Sequence, residues 1–225
     1  MASGFRVLTR ERKIADDLVR RFARLPVANV SDSMSRLSAG GARLRPMHAG
    51  APLAGPALTV KAPPGDNLMF HKAIAMTQPG DVIVLDAGGD LTNALMGEMM
   101  LMQLEKRGVA GVVINGAIRD AGYIRKQDIP VYAAGVTHRG PYKNGPGEIN
   151  VSVAIDGMVI APGDLILGDD DGILCVPIDE AETILAAALA KQAAEHAQIA
   201  NIQAGTHKAG WVDETLRKLG CEGVP

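Results

Sequence analysis

Short runs of apolar residues alternate with helix-like segments along most of this 225-residue chain, and this alternation restricts the possible folds most strongly. The runs lie at residues 57–62, 82–85, 109–114, 131–134, 151–155 and 173–176. Runs of roughly four to eight residues with little polar alternation are typical of strands buried on both faces. Segments with apolar residues three and four positions apart separate several of them, at residues 11–24, 68–76 and 91–107. The sequence therefore predicts an α/β fold with a substantially buried sheet.

Two early segments give weaker signals. Ser31, Asp32 and Ser33 are typical helix-capping residues, and they predict a short helix that continues through Leu37. The Gly-, Ala- and Pro-rich residues 40–56 show little periodicity and predict an extended loop.

The C-terminal part of the chain is helical in pattern. Residues 179–203 are rich in alanine, and residues 211–219 form an amphipathic tail. Their apolar sides need a surface to cover them, and a neighbouring subunit is one that would serve. Because no linker or change in composition interrupts the chain, we expect residues 1–225 to form a single domain. We expect its C-terminal helices, about 178–220, to pack on a neighbouring subunit.

One tight turn occurs twice. Residues 79–81 and residues 162–164 both read Pro-Gly-Asp, and each precedes an apolar run. The flanking segments differ, so we interpret the pair as two equivalent turns that feed buried strands and not as a long repeat.

The composition excludes several classes of partner. Aromatic residues make up 3% of the chain, so it lacks the platforms on which nucleobases stack. A formal net charge of −2 gives no attraction toward nucleic acid or an anionic membrane, and no run approaches the roughly 18 apolar residues of a membrane span. Cys175 and Cys221 have no ligand spacing and indicate structural thiols in a reduced, cytoplasmic protein.

The strongest chemical signal follows the run at 109–114. Arg119 and Asp120 come where that predicted strand gives way to a loop, the place where α/β sheets usually build their sites. A guanidinium can bind a carboxylate or a 2-oxo group through paired hydrogen bonds, and a carboxylate can hold a hard divalent ion with water. The alternative is a salt-bridged surface turn, which an isolated Arg-Asp pair usually forms.

A glycine inside the predicted helix 91–107 is a second signal. Gly97 is costly in a helix interior, and a break there would create a new helix N-terminus at Glu98. Such an end offers backbone N–H groups to an anionic substrate. A glycine at this position is equally consistent with close packing of the helix against a neighbouring segment and with substrate binding.

Five separate motifs together resemble the RraA-like family. They are residues 79–84, 94–99, 116–120 and 130–133, and finally residues 162–164 together with 169–172 and 176–177. They keep a consistent order over roughly residues 26 to 180, and the family includes 4-hydroxy-4-methyl-2-oxoglutarate and 4-carboxy-4-hydroxy-2-oxoadipate aldolases. The resemblance implies a swivelling β/β/α, phosphohistidine-domain-like fold with flanking helices, assembled as homotrimers or homohexamers.

The resemblance also implies roles for particular residues. Asp120 holds Mg²⁺ or Mn²⁺ partly through water, and Arg119 contacts the substrate. Backbone amides of the segment that includes Gly97, Glu98, Met99 and Met100 cradle a pyruvyl carboxylate, and the Glu98 side chain lies near the metal.

The sequence departs from the family at one position. Tyr123 stands three residues after Asp120, where many members have an acidic residue. A third acidic group is therefore not expected there, and the Arg119–Asp120 pair stays intact.

These features predict a divalent-metal-dependent lyase. We expect an aldolase that cleaves 4-hydroxy-2-oxo dicarboxylic or tricarboxylic acids to pyruvate and a 2-oxo acid, with oxaloacetate decarboxylase activity. One alternative is a non-catalytic regulator that binds a ribonuclease, because relatives with this fold have that role. Another is a metal-dependent lyase or hydrolase acting on an unrelated acid.

Other polar residues carry weaker hypotheses. His71 is expected to be packed or solvent-bridging, and Asp66 and Asn67 are expected to cap a helix. His138 and Arg139 are candidates for selecting the distal group of the substrate.

Several further groups favour structural roles. Residues 169–171 lack the alternating ligands of a calcium loop and predict a turn. Glu195 is expected on a solvated helix face, although related aldolases can supply a glutamate from a neighbouring subunit. Lys61 and Lys72 are expected to be solvated or paired, and the glycine spacing of residues 84–90 excludes nucleotide or S-adenosylmethionine binding.

Overall fold

The computed structural model describes residues 4–36 and 41–224. The chain separates into two units, Met1–Ala188 and Leu189–Pro225. The strands are β1 (Phe5–Val7), β2 (Arg45–Pro46), β3 (Leu53–Lys61), β4 (Val82–Asp86), β5 (Ala94–Met96), β6 (Gly111–Ile118), β7 (Val131–Val136), β8 (Gly147–Ile149), β9 (Val153–Ile155), β10 (Met158–Ile160), β11 (Leu165–Asp169) and β12 (Gly172–Val176). The helices are α1 (Asp16–Phe22), α2 (Val27–Ser33), α3 (Leu68–Met76), α4 (Glu98–Lys106), α5 (Ala121–Ile124), α6 (Ala181–Gln203) and α7 (Gly210–Lys218), and a 3-10 turn (Ile178–Glu180) precedes α6.

Four parallel strands form the centre of the sheet. The strand order is β1-β8-β3-β4-β6-β7-β2, and β3, β4, β6 and β7 run in one direction. Strand β11 pairs with both β3 and β12, and β9 and β10 form a separate hairpin. Helix α3 connects β3 to β4 and helix α4 leads into β6, which is the strand and helix alternation that the sequence predicts.

The two faces of the sheet are covered by different apolar clusters. Leu58, Val60 and Leu85 point to the side that carries α3 and α4, whereas Val82 and Val84 point to the side that carries the β9–β10 hairpin. This alternation follows from the two-residue period of a strand. A third cluster packs α1, α2 and the start of α6 against β11 and β12. The runs lack polar alternation because both faces of the central strands are buried.

The two Pro-Gly-Asp turns have the same local structure. Gly80 and Gly163 adopt positive φ values of 85° and 90°. The aspartate that directly follows each glycine accepts, through Oδ2, the backbone N–H three residues before it, at 2.9 Å in both cases. Glycine is needed at the positive φ, and the aspartate closes the turn. The prediction of two equivalent turns is confirmed.

Several predicted elements are wrong in extent. The helix predicted from residue 11 begins at Asp16, because the Ile14 N–H bonds to the Gly163 carbonyl 2.9 Å away and holds this segment extended. The loop predicted for residues 40–56 contains β2, and β3 begins at Leu53 because its first residues pair with β11.

The second helix also differs from its prediction. It runs from Val27 to Ser33, so Ser31, Asp32 and Ser33 lie at its end and not at its cap. The Asp169 carboxylate accepts the Val27 N–H at 2.9 Å and supplies the N-terminal cap from a distant strand. The predicted end at Leu37 lies outside the described residues.

A buried ion pair joins the N-terminal segment to the first Pro-Gly-Asp turn, residues 79–81. Arg10 Nη1 lies 2.8 Å from Asp81 Oδ1, and the two side chains are 11% and 1% exposed. We expect Arg10→Ala to lower the free energy of unfolding by about 2 kcal/mol, because it leaves a buried carboxylate without its cation. Arg12→Ala is the matched control, since Arg12 pairs with Asp179 in solvent and its loss should change the free energy of unfolding much less than the loss of Arg10 does. Urea unfolding of both variants measures the difference, and equal losses would contradict the assignment.

The second unit consists of the later part of α6 and helix α7. Helix α7 exposes Trp211, which is 65% accessible. Over the described ranges, no helix is long and apolar enough to cross a membrane.

Candidate functional site

The central strand β6 extends beyond its neighbour and carries the candidate residues at its end. Strand β4 stops opposite Asn115, and the last residues of β6 instead pair with β5 on one side and β7 on the other. Arg119 follows immediately, and its N–H donates to the Met96 carbonyl at 2.9 Å. The pair therefore lies at the carboxyl edge of the parallel sheet, as predicted.

The helix predicted over residues 91–107 is wrong in its first half. Residues Ala94–Met96 form the buried strand β5, and helix α4 begins only at Glu98. Gly97 separates them in an extended conformation, with φ −152° and ψ −170°. The hypothesis of a break at Gly97 with a new helix N-terminus is confirmed.

Gly97 lies where an added side chain would crowd the Arg119 and Asp120 side chains. Its extended backbone is open to any residue, but a Cβ placed there would lie 2.3 Å from Asp120 Oδ2 and 3.0 Å from Arg119 Cγ. The absence of a side chain lets the end of β6 approach the start of α4 closely. This contact places the Arg119–Asp120 pair against the helix N-terminus.

The Asp120 carboxylate is oriented by that helix. Its Oδ2 accepts the Glu98 N–H at 2.9 Å, and its backbone adopts the left-handed conformation with φ 58° and ψ 34°. Asp is among the residues that tolerate this conformation. Arg119 Nε lies 3.8 Å from Asp120 Oδ2, and the side chains are 46% and 42% exposed. The two groups are close without being closed off from solvent.

Both side chains line a cavity of about 440 Å³. Its polar walls come from four segments of the chain, and the residues are Asn67, His71, Glu98, Gln103, Arg119, Asp120 and Lys143. Gly97, Met99 and Met100 line it as well, so every residue predicted for the site borders one space. Two carboxylates and two cationic side chains in one cavity can bind an anion together with a divalent cation.

The first turn of α4 presents a backbone donor to this cavity. The Met100 N–H bonds weakly to Gly97 at 3.2 Å, and the Glu98 N–H is taken by Asp120. The Met99 N–H has no acceptor within the part of the chain that the structure describes. The positive end of the helix therefore retains a donor for an anion.

His71 borders the cavity from α3. Burial lowers its pKa, and the nearby charge of Lys143 lowers the pKa further. We expect an NMR titration of His71 to give a midpoint below the usual value of about 6.5, and Lys143→Met to raise it. The unfolded chain binds this proton at a higher pH than the folded protein does. Protonation of His71 therefore lowers the free energy of unfolding as the pH falls below about 6.5. A midpoint that Lys143→Met left unchanged would show that the charge of Lys143 does not affect the pKa of His71.

Asn67 belongs to the buried wall of the cavity. Its side chain is 2% exposed, and Nδ2 donates to the Leu95 carbonyl at 2.9 Å. Its Oδ1 is buried and accepts no hydrogen bond from the described residues. The sequence predicts a helix cap here, but the Asn67 side chain makes no cap bond, and the neighbouring Asp66 caps Leu68 at 2.9 Å.

The remaining acidic candidates have structural partners. Asp169 caps α2 and accepts the Asp171 N–H at 3.0 Å, while Arg45 donates to the carbonyls of Asp170 and Asp171. The predicted structural turn is confirmed. Within the described ranges, no cluster of three or more His, Cys, Asp or Glu side chains could hold a metal.

The other basic candidates lie away from the cavity lining. Lys61 forms an ion pair with the buried Asp86, and Lys72 is exposed. His138 and Arg139 are exposed, and the Arg139 carbonyl accepts the Ala94 N–H at 2.8 Å.

Glu195 lies in the second unit and pairs with Lys191 at 3.2 Å. Tyr123 packs partly against the core, and burial raises its pKa, which nearby Glu105 and Glu98 raise further.

The sequence misses Lys143 and Gln103 as members of the site. Gln103 lies one turn beyond Met99 on α4, so a helix beginning at Glu98 would have indicated it. Lys143 follows Pro141 in a Gly- and Pro-rich loop without periodicity, and no local signal marks it.

This chain is similar in sequence and in fold to known proteins. The RraA-like family model, described as Aldolase/RraA, matches residues 27–175. A Halalkalibacterium halodurans protein named "putative 4-hydroxy-4-methyl-2-oxoglutarate aldolase" is 38% identical over 182 residues, which cover 81% of this chain and 87% of that protein. An uncharacterized protein from Pseudomonas syringae pv. tomato has a similar structure, with a TM-score of 0.78 and 26% identity over 87% of this chain and 96% of its own.

A second solved structure is of Streptomyces coelicolor RraAS2, described as an unusual member of the RNase ES inhibitor RraA protein family. Its TM-score is 0.72 at 28% identity, over 82% of this chain and 96% of its own. The similarity therefore extends to proteins described with two different roles, one catalytic and one inhibitory.

Proposed function

The chain belongs to the RraA-like family and has its α/β fold, and on this premise we propose that it is a divalent-metal-dependent aldolase. The proposed substrates are 4-hydroxy-2-oxo dicarboxylic or tricarboxylic acids, which it cleaves to pyruvate and a second 2-oxo acid. Oxaloacetate decarboxylation is the proposed side activity, since it passes through the same enolate. The observation that carries the proposal is the half-exposed Arg119–Asp120 pair at the N-terminus of α4, inside one cavity.

The carboxylates of the cavity fit Mg²⁺ or Mn²⁺. Asp120 uses Oδ2 to accept the Glu98 N–H, which leaves Oδ1 for a cation, and the Glu98 side chain lines the same cavity. Mg²⁺ is commonly held by one or two carboxylates with water in its other positions, so a larger protein cage is not required. When bound, the ion supplies Lewis-acid polarisation of the 2-oxo group and offsets the charge of the pyruvate enolate.

Arg119 and the start of α4 bind and orient the pyruvyl part of the substrate in this proposal. The guanidinium pairs with the carboxylate or the 2-oxo oxygen, and the Met99 N–H donates to the carboxylate. The Met99 N–H is held by the backbone of α4 before the substrate arrives, and the Arg119 side chain starts from the end of β6. They therefore stabilise the developing negative charge with little reorganisation.

The bond changes are those of an aldol cleavage. The C4 hydroxyl loses its proton to water beside Asp120, the C3–C4 bond breaks, and C4 becomes the carbonyl of the departing 2-oxo acid. The electron pair of the broken bond remains on the pyruvyl fragment as the enolate. Arg119 holds its charge until C3 takes up a proton and pyruvate forms.

The basic side of the cavity supports a substrate with a second carboxylate. Lys143 lines the cavity and adds a positive charge besides Arg119. A four-carbon or larger diacid satisfies both cations, whereas pyruvate alone satisfies one.

The direct test is an assay of pyruvate release. Purified protein is supplied with 4-hydroxy-4-methyl-2-oxoglutarate or oxaloacetate, with Mg²⁺, with Mn²⁺ and with EDTA. We expect turnover with either ion, loss of turnover in EDTA and recovery when the ion is restored. Borohydride with pyruvate should leave activity unchanged, because no lysine imine forms. Turnover that persists in EDTA would overturn the metal-dependent proposal.

A ribonuclease-binding regulator is the second candidate, and the similarity to RraAS2 favours it. A regulator can keep the shape of the cavity without its chemistry. No pyruvate release from either acid, together with tight binding to an RNase E-type ribonuclease, would select this function. A different lyase or hydrolase would instead show metal-dependent turnover of an acid that releases no pyruvate.

Assembly as a homotrimer or homohexamer is part of the proposal. Trp211 and Leu219 on and after α7 are 65% and 78% exposed, which leaves apolar surface for a second copy. Light scattering at micromolar concentration measures the number of chains, and a monomer would contradict the prediction.

A further inference from the structure

The loop that carries Lys143 is held by a buried carboxylate. Asp66 is 4% exposed. Its Oδ2 accepts the N–H groups of Asn144 at 2.6 Å and Gly145 at 3.0 Å, while its Oδ1 accepts the Leu68 N–H at 2.9 Å. Charge-assisted bonds of this kind are stronger than those between neutral groups. One side chain thus joins the start of α3 to a loop 78 residues later in the chain.

The backbone adds to this connection. The Tyr142 N–H donates to the Gly65 carbonyl at 2.8 Å, and the Asn67 N–H donates to the Tyr142 carbonyl at 3.0 Å. Lys143 lies between Tyr142 and Asn144, and both of these neighbours are bonded to residues 65–67. Its backbone is therefore fixed even though its side chain is exposed.

Residues from both of the joined segments line the cavity. Asn67 directly follows Asp66, and Lys143 directly precedes Asn144, and both line the cavity that contains Arg119 and Asp120. No ion pair to Asp66 is present among the described residues, so the carboxylate is satisfied by the N–H groups that it joins.

We propose that Asp66 is a positioning residue that holds Lys143 at the cavity, where Lys143 binds the distal carboxylate of a 2-oxo diacid. This inference rests on the proposed function only for the class of ligand. Asp66 makes no contact with the reacting atoms in this proposal and acts through the loop. Removing its charge releases the loop and weakens the binding of diacids, while the binding of pyruvate stays the same.

The test compares two probes by calorimetry in Mg²⁺. 2-Oxoglutarate has a distal carboxylate, whereas pyruvate has none. We expect Asp66→Asn, which is close in shape, to raise the Kd of 2-oxoglutarate by about tenfold and to leave the Kd of pyruvate unchanged. Lys143→Met is expected to do the same. In the double variant the two effects should not add, because both remove one interaction.

A matched control and a structural readout complete the experiment. Asp90 makes the same kind of bond to an N–H two residues later, at 2.9 Å, and does not line the cavity. Asp90→Asn should leave both Kd values unchanged. In substrate-free protein, Asp66→Asn should speed amide hydrogen exchange at Asn144 and Gly145, and Lys143→Met should leave exchange there unchanged.

Three outcomes would overturn the inference. They are equal affinity of the unaltered protein for the two probes, additive effects in the double variant, and unchanged exchange at Asn144 and Gly145 in Asp66→Asn. The proposed aldolase activity fails separately, by absence of pyruvate release from the unaltered protein, because neither binding nor hydrogen exchange requires turnover.

Discussion

Asp120→Ala is expected to lower metal-dependent pyruvate release by about a thousandfold or more, because it removes the carboxylate proposed to hold the cation. The side chain is 42% exposed and carries no buried partner that would unfold the protein on its loss. The protein should therefore stay folded, with a small fall in the melting temperature because alanine fits the left-handed backbone of this residue less well than aspartate does. Steady-state kinetics with saturating Mg²⁺ measures the effect.

Asp120→Asn separates the two tasks of this side chain. Its amide oxygen can still accept the Glu98 N–H, so the loop geometry is retained while the negative charge is lost. We expect a loss close to that of Asp120→Ala. Near-normal activity in Asp120→Asn would show that orientation of the loop matters and that the charge does not, which contradicts a cation at this residue.

Gly97→Ala is expected to lower kcat/KM by about a hundredfold, because a methyl group there displaces both members of the pair. The new Cβ would lie 2.3 Å from Asp120 Oδ2, so the carboxylate must move away from the Glu98 N–H. Kinetics and a melting curve, measured together, separate this displacement from a loss of fold.

Gly122→Ala provides the matched control. It lies two residues after Asp120 in α5, and a Cβ there meets no atom within 4 Å. Its activity should equal that of the unaltered protein. If Gly97→Ala also retained full activity, the close approach of β6 to α4 would have no role in the reaction.

The parallel centre of the sheet could be predicted because its signal is local. The apolar runs that become β4 and β7 are short, continuous and bounded by turns, which is how strands buried on both faces appear in a sequence. The two Pro-Gly-Asp turns were likewise visible, since Gly80 and Gly163 set the backbone and the following aspartate closes it.

Elements that depend on distant pairing could not be predicted. Strand β5 is three residues long and continues into the helical pattern of α4, and only its pairing with β6 makes it a strand. Residues before Asp16 have a helical spacing, but the bond from Ile14 to Gly163 keeps them extended. In both cases a contact far away in the chain outweighs the local pattern.

The site shows the same division. The sequence indicates the Arg119–Asp120 pair because it directly follows a recognisable strand, and it indicates Gly97 because glycine is unusual within a helix. The sequence does not indicate Lys143, since its place at the cavity depends on Asp66 and Gly65, which lie in another segment. The capping of α3 by Asp66 was predicted, but its bonds to the loop were not.

Crystals soaked with Mn²⁺ and pyruvate and measured at the manganese absorption edge test the central claim most directly. The proposal predicts an anomalous peak at a coordination distance of about 2.2 Å from Asp120 Oδ1, with the pyruvate carboxylate near Arg119 and the Met99 N–H. Pyruvate bound in the cavity with no manganese peak at Asp120 would contradict the proposal.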